Sequence, residues 1–289
     1  MIDLHTHTTA SDGALAPPEL VERAHRLGIR TLSVTDHDTV AGVPAAAAAA
    51  AACGMEFLPG IEITAVHERR DVHMLGYFLD PAPVGLAAFL DRQRLDRSRR
   101  AREMAARLAA LGAPIDLEDL IAGAEAGGKS VARPSIARAL LDAGHVTSLQ
   151  QAFDRWLAEG RPAYVPRTGS SPVDVVRLVK RSGGVVGLAH PGLLRRDDLI
   201  PELVEAGLGA IEVYHSDHDA GEQSRYLRLA GQHGLAVSGG SDFHGDDHPR
   251  AGCFGRVGLP RERFAPLFQR VREAHAAVRK QSMQSEGLQ

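Results

Sequence analysis

The 289-residue chain is short of cysteine, of net charge and of long apolar runs, and each shortage removes a class of protein. Two cysteines, Cys53 and Cys253, are too few for a disulfide framework, and neither belongs to a C-x-x-C pair. Lys and Arg number 33 against 36 Asp and Glu, a balance of -3 that argues against a basic nucleic-acid coat or an acidic tail. Any anion site is therefore local. The longest apolar run, Ala45 to Ala52 followed by Cys53, is too short and too weakly hydrophobic to span a bilayer. The opening MIDLHTHTTASDG carries none of the marks of a signal peptide. The expectation is a cytoplasmic protein without membrane contact. Apolar residues at 44% and charged residues at 24% describe an ordinary globular protein and exclude intrinsic disorder, and no internal repeat is visible.

Histidine, in contrast, is abundant, with fourteen residues, and it is the commonest metal ligand among side chains. Short β-rich runs alternate with helical stretches: MIDLHTH, PPELVERAHRLG, TLSVTDH and the alanine-rich helix after Pro44, then MEFLPGIEIT and DVHMLGYFL. After residue 183 come GVVGLAH, DLIPELVEAG, AIEVYH, a helix around Gln223 to His233, LAVSGGSD and a terminal helix near Glu262 to Lys280. This predicts an α/β fold with seven strands, helix-covered and parallel, closed as a (β/α)7 TIM-like barrel one strand short of eight. Between Pro83 and about Pro172 the pattern changes to four helical segments ending in the Pro/Gly-rich GRPAYVPRTGSSP. The domain expectation is a barrel formed by 1–82 and 172–289, with 83–171 as a helical insertion that caps the substrate. Within the insertion, Arg92, Arg94, Arg97, Arg99, Arg100 and Arg102 spread round one helix and read as a solvated face rather than an RNA track.

His5-Thr6-His7 places two imidazoles on one face of a strand, because side chains alternate with period two. Alone this is a weak signal. The same chemistry recurs at nearly every predicted strand end: Asp12 after the first strand, His37 and Glu62 ending the second and third, His73 within the fourth, His190 ending the fifth, and Asp242 with His244 ending the seventh. In an α/β barrel those ends converge on one mouth, where active sites sit. Nine nitrogen and oxygen donors exceed one ion's needs and fit two or three divalent ions, with Glu62 placed to bridge a pair. Donors of this kind suit Mn, Fe, Zn or Mg, and ligand type alone does not choose among them; Mn is the first expectation. His215 and His218, after the sixth strand, face the same rim as candidate substrate-contacting or supporting residues. His25, His67, His145, His233, His248 and His275 read as surface or packing residues.

The series HTHTTASDG, TDHD, GIE, VHMLGY, AHPG and GGSDFH strongly resembles the PHP (polymerase and histidinol phosphatase) family over about residues 1 to 79 and 183 to 255. The resemblance implies a distorted seven-stranded barrel and a metal-dependent phosphoesterase with three ions: one on His5, His7, Glu62 and Asp242, a second on Asp12, His37 and His244, a third on Glu62, His73 and His190. Glu62, Asp242, His190 and His218 are the expected catalytic residues. The insert motifs KSVARPSIARALLDAG and GRPAYVP look like the branch of 3',5'-nucleoside bisphosphate phosphatases and related 5' to 3' exoribonucleases, although Ser135 stands where that branch often carries His. Expected substrate contacts are Lys129, Arg133, Ser135, Arg161, Tyr164 and His215. Arg133 and Lys129 open a helix whose free N–H groups favour phosphate, and Tyr164 beside Arg161 offers a ring to a base. The expected substrate is a bisphosphonucleotide or short 5'-phosphorylated oligonucleotide, bound by a monomer or small homo-oligomer without stable duplex binding. The alternatives are a small-metabolite phosphatase of the histidinol-phosphate kind, an amidohydrolase-type C–N hydrolase, and a non-catalytic module of the same family.

Overall fold

Proline-led amphipathic segments become helices and short buried runs become strands in the computed structural model, which describes residues 1–83 and 85–286. Residues 84 and 287–289, which belong to the expected insertion and barrel domain, lie outside the described residues. The first half-barrel alternates β1 (Ile2–Asp3), α1 (Pro17–Arg26), β2 (Thr31–Leu32), α2 (Val43–Ala52) and β3 (Glu56–Phe57). Prolines at its start suit the first turn of α1, where amides need no intrahelical partner, and Leu20, Val21 and Ala24 supply its buried stripe. Strands β1, β2 and β3 pair in parallel.

The second sheet orders β4 (Gly60–His67), β5 (Arg70–Tyr77), β6 (Val185–Leu188), β7 (Ala210–His215) and β8 (Ala236–Gly240). The described residues thus form eight strands in two sheets where the periodicity predicts seven in one. The predicted third strand, MEFLPGIEIT, is divided into β3 and β4 at Leu58-Pro59, because proline has no N–H to extend the ladder. Pairing is also not uniformly parallel: β5 runs antiparallel to both β4 and β6, while β6, β7 and β8 are parallel. The β4–β5 hairpin is closed by Glu68 and Arg69, both at positive φ (48° and 68°), the backbone of a two-residue hairpin turn without its usual Asn or Gly. The two sheets meet at both margins. The Leu4 N–H donates to Gly239 O at 3.1 Å, Thr6 bridges Phe243, and His37 bridges Glu62.

Between β5 and α7 (Pro172–Arg181) lie α3 (Ala87–Ala110), α4 (Glu118–Ala126), α5 (Arg133–Asp142) and α6 (Leu149–Ala152), the last continuing into a π-helical turn over Phe153–Leu157. They share an apolar cluster of their own, with Met104, Leu108, Ile121, Leu140 and Trp156 at its centre, distinct from the cluster of Ile61, Met74, Val186 and Ile211 in the larger sheet. The segment rejoins the sheet where Val66 N–H donates to Ser170 O at 2.9 Å. Helices α8 (Pro191–Leu194), α9 (Ile200–Ala206), α10 (Ala220–Gln232) and α11 (Arg261–Glu286) cover the remaining strands. Among the described residues no helix is long and apolar enough to cross a membrane.

Candidate metal centre and active-site cleft

Strand ends deliver the histidines and carboxylates to one place. His5 and His7 leave β1 on the same face, and both ring Nε2 atoms reach Glu62 Oε2 (3.3 and 3.2 Å) and Asp242 Oδ1 (3.3 and 3.1 Å). Glu62, in β4, is the hub. Its Oε2 also faces His37 Nδ1 at 3.2 Å, and its Oε1 lies 2.8 Å from His73 Nδ1 and 3.1 Å from His190 Nε2. On the outer side Asp12 Oδ1 sits 3.5 Å from His244 Nε2 and 3.7 Å from His7 Nδ1, with His37 Nε2 at 3.8 Å from Oδ2. All nine residues expected from the sequence to ligate metal are brought together. Asp242, His190 and Asp38 achieve their aim with left-handed backbone, φ 51°, 26° and 53°, which non-glycine residues adopt at a cost of about 1–3 kcal/mol.

Burial alone would raise the Glu62 and Asp242 carboxyls, but the imidazoles around them hold both well below the usual carboxylate range. The histidines respond unequally. Burial opposes charge on His7, yet the Asp242 and Glu62 carboxylates that face it push it up to about 10, whereas burial dominates at His37 and brings it down to about 3.

Proton sharing does not satisfy the cluster. Among the described residues, buried His5 Nε2, both nitrogens of His7, His37 Nδ1, His73 Nδ1 and Asp242 Oδ1 have no hydrogen-bond partner, although buried polar atoms almost always find one. The donor atoms of His5, His7, Glu62 and Asp242 lie within 4.8 Å of one another, as do those of His7, Asp12, His37 and His244, and those of His37, Glu62 and His73. Converging imidazole nitrogens and carboxylate oxygens are the donor set that divalent cations take, so these residues fit such ions.

Two residues absent from the sequence reading support the ring of donors. Glu212 of β7, fully buried, accepts from His5 Nδ1 at 2.9 Å and from the His190 N–H at 2.7 Å. Arg250 donates to Asp242 Oδ2 at 2.7 Å and is itself held by Asp217. Glu212 looked like one more residue of an ordinary strand, and its position two residues before Tyr214 at a break in the β7–β8 register is invisible from composition. His215 points at the same Asp242 oxygen, Nε2 to Oδ2 3.2 Å. His218 does not reach the cluster. Its Nδ1 bonds Val213 O and its Nε2 accepts from the Gly192 N–H, which leaves no ring nitrogen for catalysis. His248, expected as a surface or packing residue, packs against His244 with ring centroids 4.8 Å apart.

The cleft beside the cluster has two lobes that share Asp71, His73 and Arg133. One is lined by Asp12, His37, Arg97, Arg100, Arg133 and Arg167, the other by Arg70, Tyr164, His190, Leu193 and Leu194. This corrects the reading of α3 as a wholly solvated basic face: Arg97 and Arg100 are only 5% and 4% exposed. The spacing Gln93, Arg97, Arg100, Met104 puts them on the buried stripe of α3, a helical period carried by polar residues. Arg97 donates to Asp38 Oδ2 at 2.7 Å and Arg167 to the same oxygen at 3.2 Å, while Asp71 faces Arg167 and Arg133. The Arg133 guanidinium lies 5.6 Å over the Tyr164 ring. Lys129, Ser135 and Arg161 are not among the described residues lining these lobes.

Comparison with known proteins agrees with this chemistry. The chain is 38% identical over 257 residues to the 3',5'-nucleoside bisphosphate phosphatase of Chromobacterium violaceum, spanning 84% of this chain and 87% of that one. It is 36% identical over 251 residues to the 5'-3' exoribonuclease Rnm of Salmonella typhimurium, spanning 84% of each. A solved structure from Bifidobacterium adolescentis, described as a candidate metal-dependent phosphoesterase, superposes with a TM-score of 0.84 at 34% identity, covering 93% of this chain and 95% of that one. The sequence pattern of the PHP domain matches residues 3–155. With the nine donors gathered at one rim, these matches establish that the chain belongs to the PHP domain family and is a metal-dependent phosphoesterase.

Proposed function

We propose that the protein removes phosphate from 3',5'-bisphosphonucleotides such as adenosine 3',5'-bisphosphate, and that the same cleft admits short 5'-phosphorylated oligonucleotides for 5' to 3' degradation. The observation that carries this reading is the arginine lobe. Arg97, Arg100, Arg133 and Arg167 are answered there by two carboxylates, Asp38 and Asp71. Burial, followed by repulsion from Arg167, brings Arg100 down to about 10. Positive charge in excess beside a metal-fitting cluster suits a substrate with a second phosphate away from the reacting one. The relatives in Chromobacterium and Salmonella act on such a nucleotide and on RNA respectively, by their names.

His5, His7, Glu62 and Asp242 would hold one ion, Asp12, His37 and His244 a second, and Glu62, His73 and His190 a third, with Mn the first choice and Zn, Fe or Mg alternatives. Divalent ions supply Lewis acidity toward a phosphoryl oxygen and acidify water near neutral pH. The chain's own part is positioning: Glu62 and Asp242 fix the donors, Arg133 and its neighbours hold the distal phosphate, and Tyr164 offers an apolar ring face beside Arg133. The barrel that presents them is read as seven-stranded, β3 and β4 being one interrupted strand, with 83–171 as its cap and 1–82 with 172–289 as its body. A cytoplasmic location goes with this reading.

Phosphate release from adenosine 3',5'-bisphosphate, AMP, histidinol phosphate and a 5'-phosphorylated oligomer, with Mn²⁺ present, tests it. The bisphosphate is expected to give the highest kcat/KM. A preference for histidinol phosphate would return the enzyme to small-metabolite chemistry, and stepwise loss of mononucleotides with little bisphosphate turnover would make it an exonuclease.

A further inference from the structure

The buried Glu212 answers two groups at once, and neither the motif pattern nor the relatives' names give it a task. Its Oε1 is 2.9 Å from His5 Nδ1 and its Oε2 accepts the His190 N–H at 2.7 Å. His5 comes from the end of β1 and His190 from the loop after β6, so one carboxylate on β7 ties together residues separated by 185 positions of sequence. The two restraints differ in kind. At His5 the contact fixes a ring: an acceptor at Nδ1 keeps the proton on that nitrogen and turns Nε2 into the free lone pair. That Nε2 is the atom found buried without a hydrogen-bond partner, 3.3 Å from Glu62 Oε2 and from Asp242 Oδ1. At His190 the contact fixes a backbone, since φ 26° is an unfavourable conformation that this N–H bond helps to retain, and the ring it carries has Nε2 3.1 Å from Glu62 Oε1.

We infer that Glu212 is the positioning residue of the metal centre, presetting His5 as an Nε2 ligand and holding His190 toward Glu62, so that it governs ion affinity without touching an ion or substrate. The inference rests on the metal-site reading above but not on the identity of the substrate. Carboxylates that receive the second nitrogen of a ligating histidine typically change metal affinity about 10- to 100-fold when removed. Glutamine in place of Glu212 keeps the size and offers one acceptor, but its NH₂ meets either the His5 Nδ1–H or the His190 N–H, donor against donor.

The test uses the full-length chain freed of metal. Mn²⁺ uptake is followed by competition with a fluorescent chelator for wild type and Glu212→Gln, with the thermal unfolding of both metal-free proteins recorded in parallel. The expected result is a Kd raised about 10- to 100-fold in a variant that still unfolds cooperatively. A change of less than threefold would overturn the inference. In case the variant does not fold, the wild type alone decides: ¹⁵N-histidine labelling of the Zn²⁺-loaded chain is expected to show His5 with its proton on Nδ1 and none on Nε2, and the opposite tautomer would overturn the proposal. Failure of the bisphosphate assay with these two results intact would sink only the substrate reading, whereas no divalent-ion uptake by the wild type would sink both.

Discussion

Glu62 and Asp38 are both fully buried carboxylates one strand apart, yet they illustrate opposite ways to keep a charge inside a protein. Asp38 is matched from within. Arg97 and Arg167 donate to one oxygen, the Thr64 N–H donates to the other at 2.9 Å, and the carboxyl is held down to about 2 against the cost of burial. Glu62 faces five imidazoles, several with nitrogens that have no partner, so its surroundings are complete only with added cations. The arginine lobe is therefore structure first and binding site second, and the histidine cluster is the reverse. A buried charge with complete partners stabilises the fold, while one with orphaned neighbours marks a site for a ligand.

The sharpest way to break this contrast is Glu62→Gln. Losing the shared oxygen charge removes several kcal/mol of transition-state stabilisation, so kcat/KM on an aryl phosphate should fall about 10³-fold. The folded state should tolerate the change, because the amide no longer needs a counter-charge. Chelation with EDTA should abolish turnover and Mn²⁺ should restore it. Retention of more than roughly a tenth of wild-type activity by Glu62→Gln would place the chemistry elsewhere.

Asp38→Ala should act on the fold instead. It strands two buried guanidinium groups, and removing one partner of a buried pair costs about 3–5 kcal/mol, read as a lower urea midpoint. The pH dependence carries the same signature. Asp38 has its folded pKa depressed to about 2 from 3.8, so its contribution is present above about pH 4 and fades as pH falls toward 2. The stability gap between wild type and Asp38→Asn should narrow over that interval, and a gap constant down to pH 2 would contradict the ion pairing.

Arg133, one-third exposed and only 3.9 Å from Asp71, stands between the two cases. Arg133→Ala should lower kcat/KM for adenosine 3',5'-bisphosphate by about one to two powers of ten more than for an aryl phosphate, the worth of a charge-assisted hydrogen bond. Equal losses on both substrates would make its role structural. The smallest effect belongs to the exposed Arg138–Asp247 pair at 3.3 Å, where Arg138→Ala should shift stability by no more than about 1 kcal/mol in a thermal melt.

These contrasts explain what was legible beforehand. The metal-fitting residues lie at strand ends, and both their type and their place follow from short runs of sequence such as HTH, TDHD and SDFH. The pairing of Asp38 with Arg97 and Arg167 spans 59 and 129 positions, and no local period announces it. The six arginines of α3 suggest solvent because they spread round the helix, yet Arg97 and Arg100 occupy its buried face. The antiparallel β4–β5 turn was equally silent, since Glu68 and Arg69 are not residues that advertise positive φ.

The left-handed backbone at His190 and Asp242 has a consequence for anyone who would move this centre to another scaffold. An idealised barrel ends its strands in ordinary extended geometry and keeps non-glycine residues out of positive φ. Copying the nine side chains onto such a frame would leave two of them aimed away from their neighbours, although every residue type was correct. A working transplant has to import the bends together with the packing that enforces them, Glu212 beneath His190 and Arg250 beside Asp242. The portable unit is a set of kinked strand ends, and catalogues of ligand identity alone would miss it.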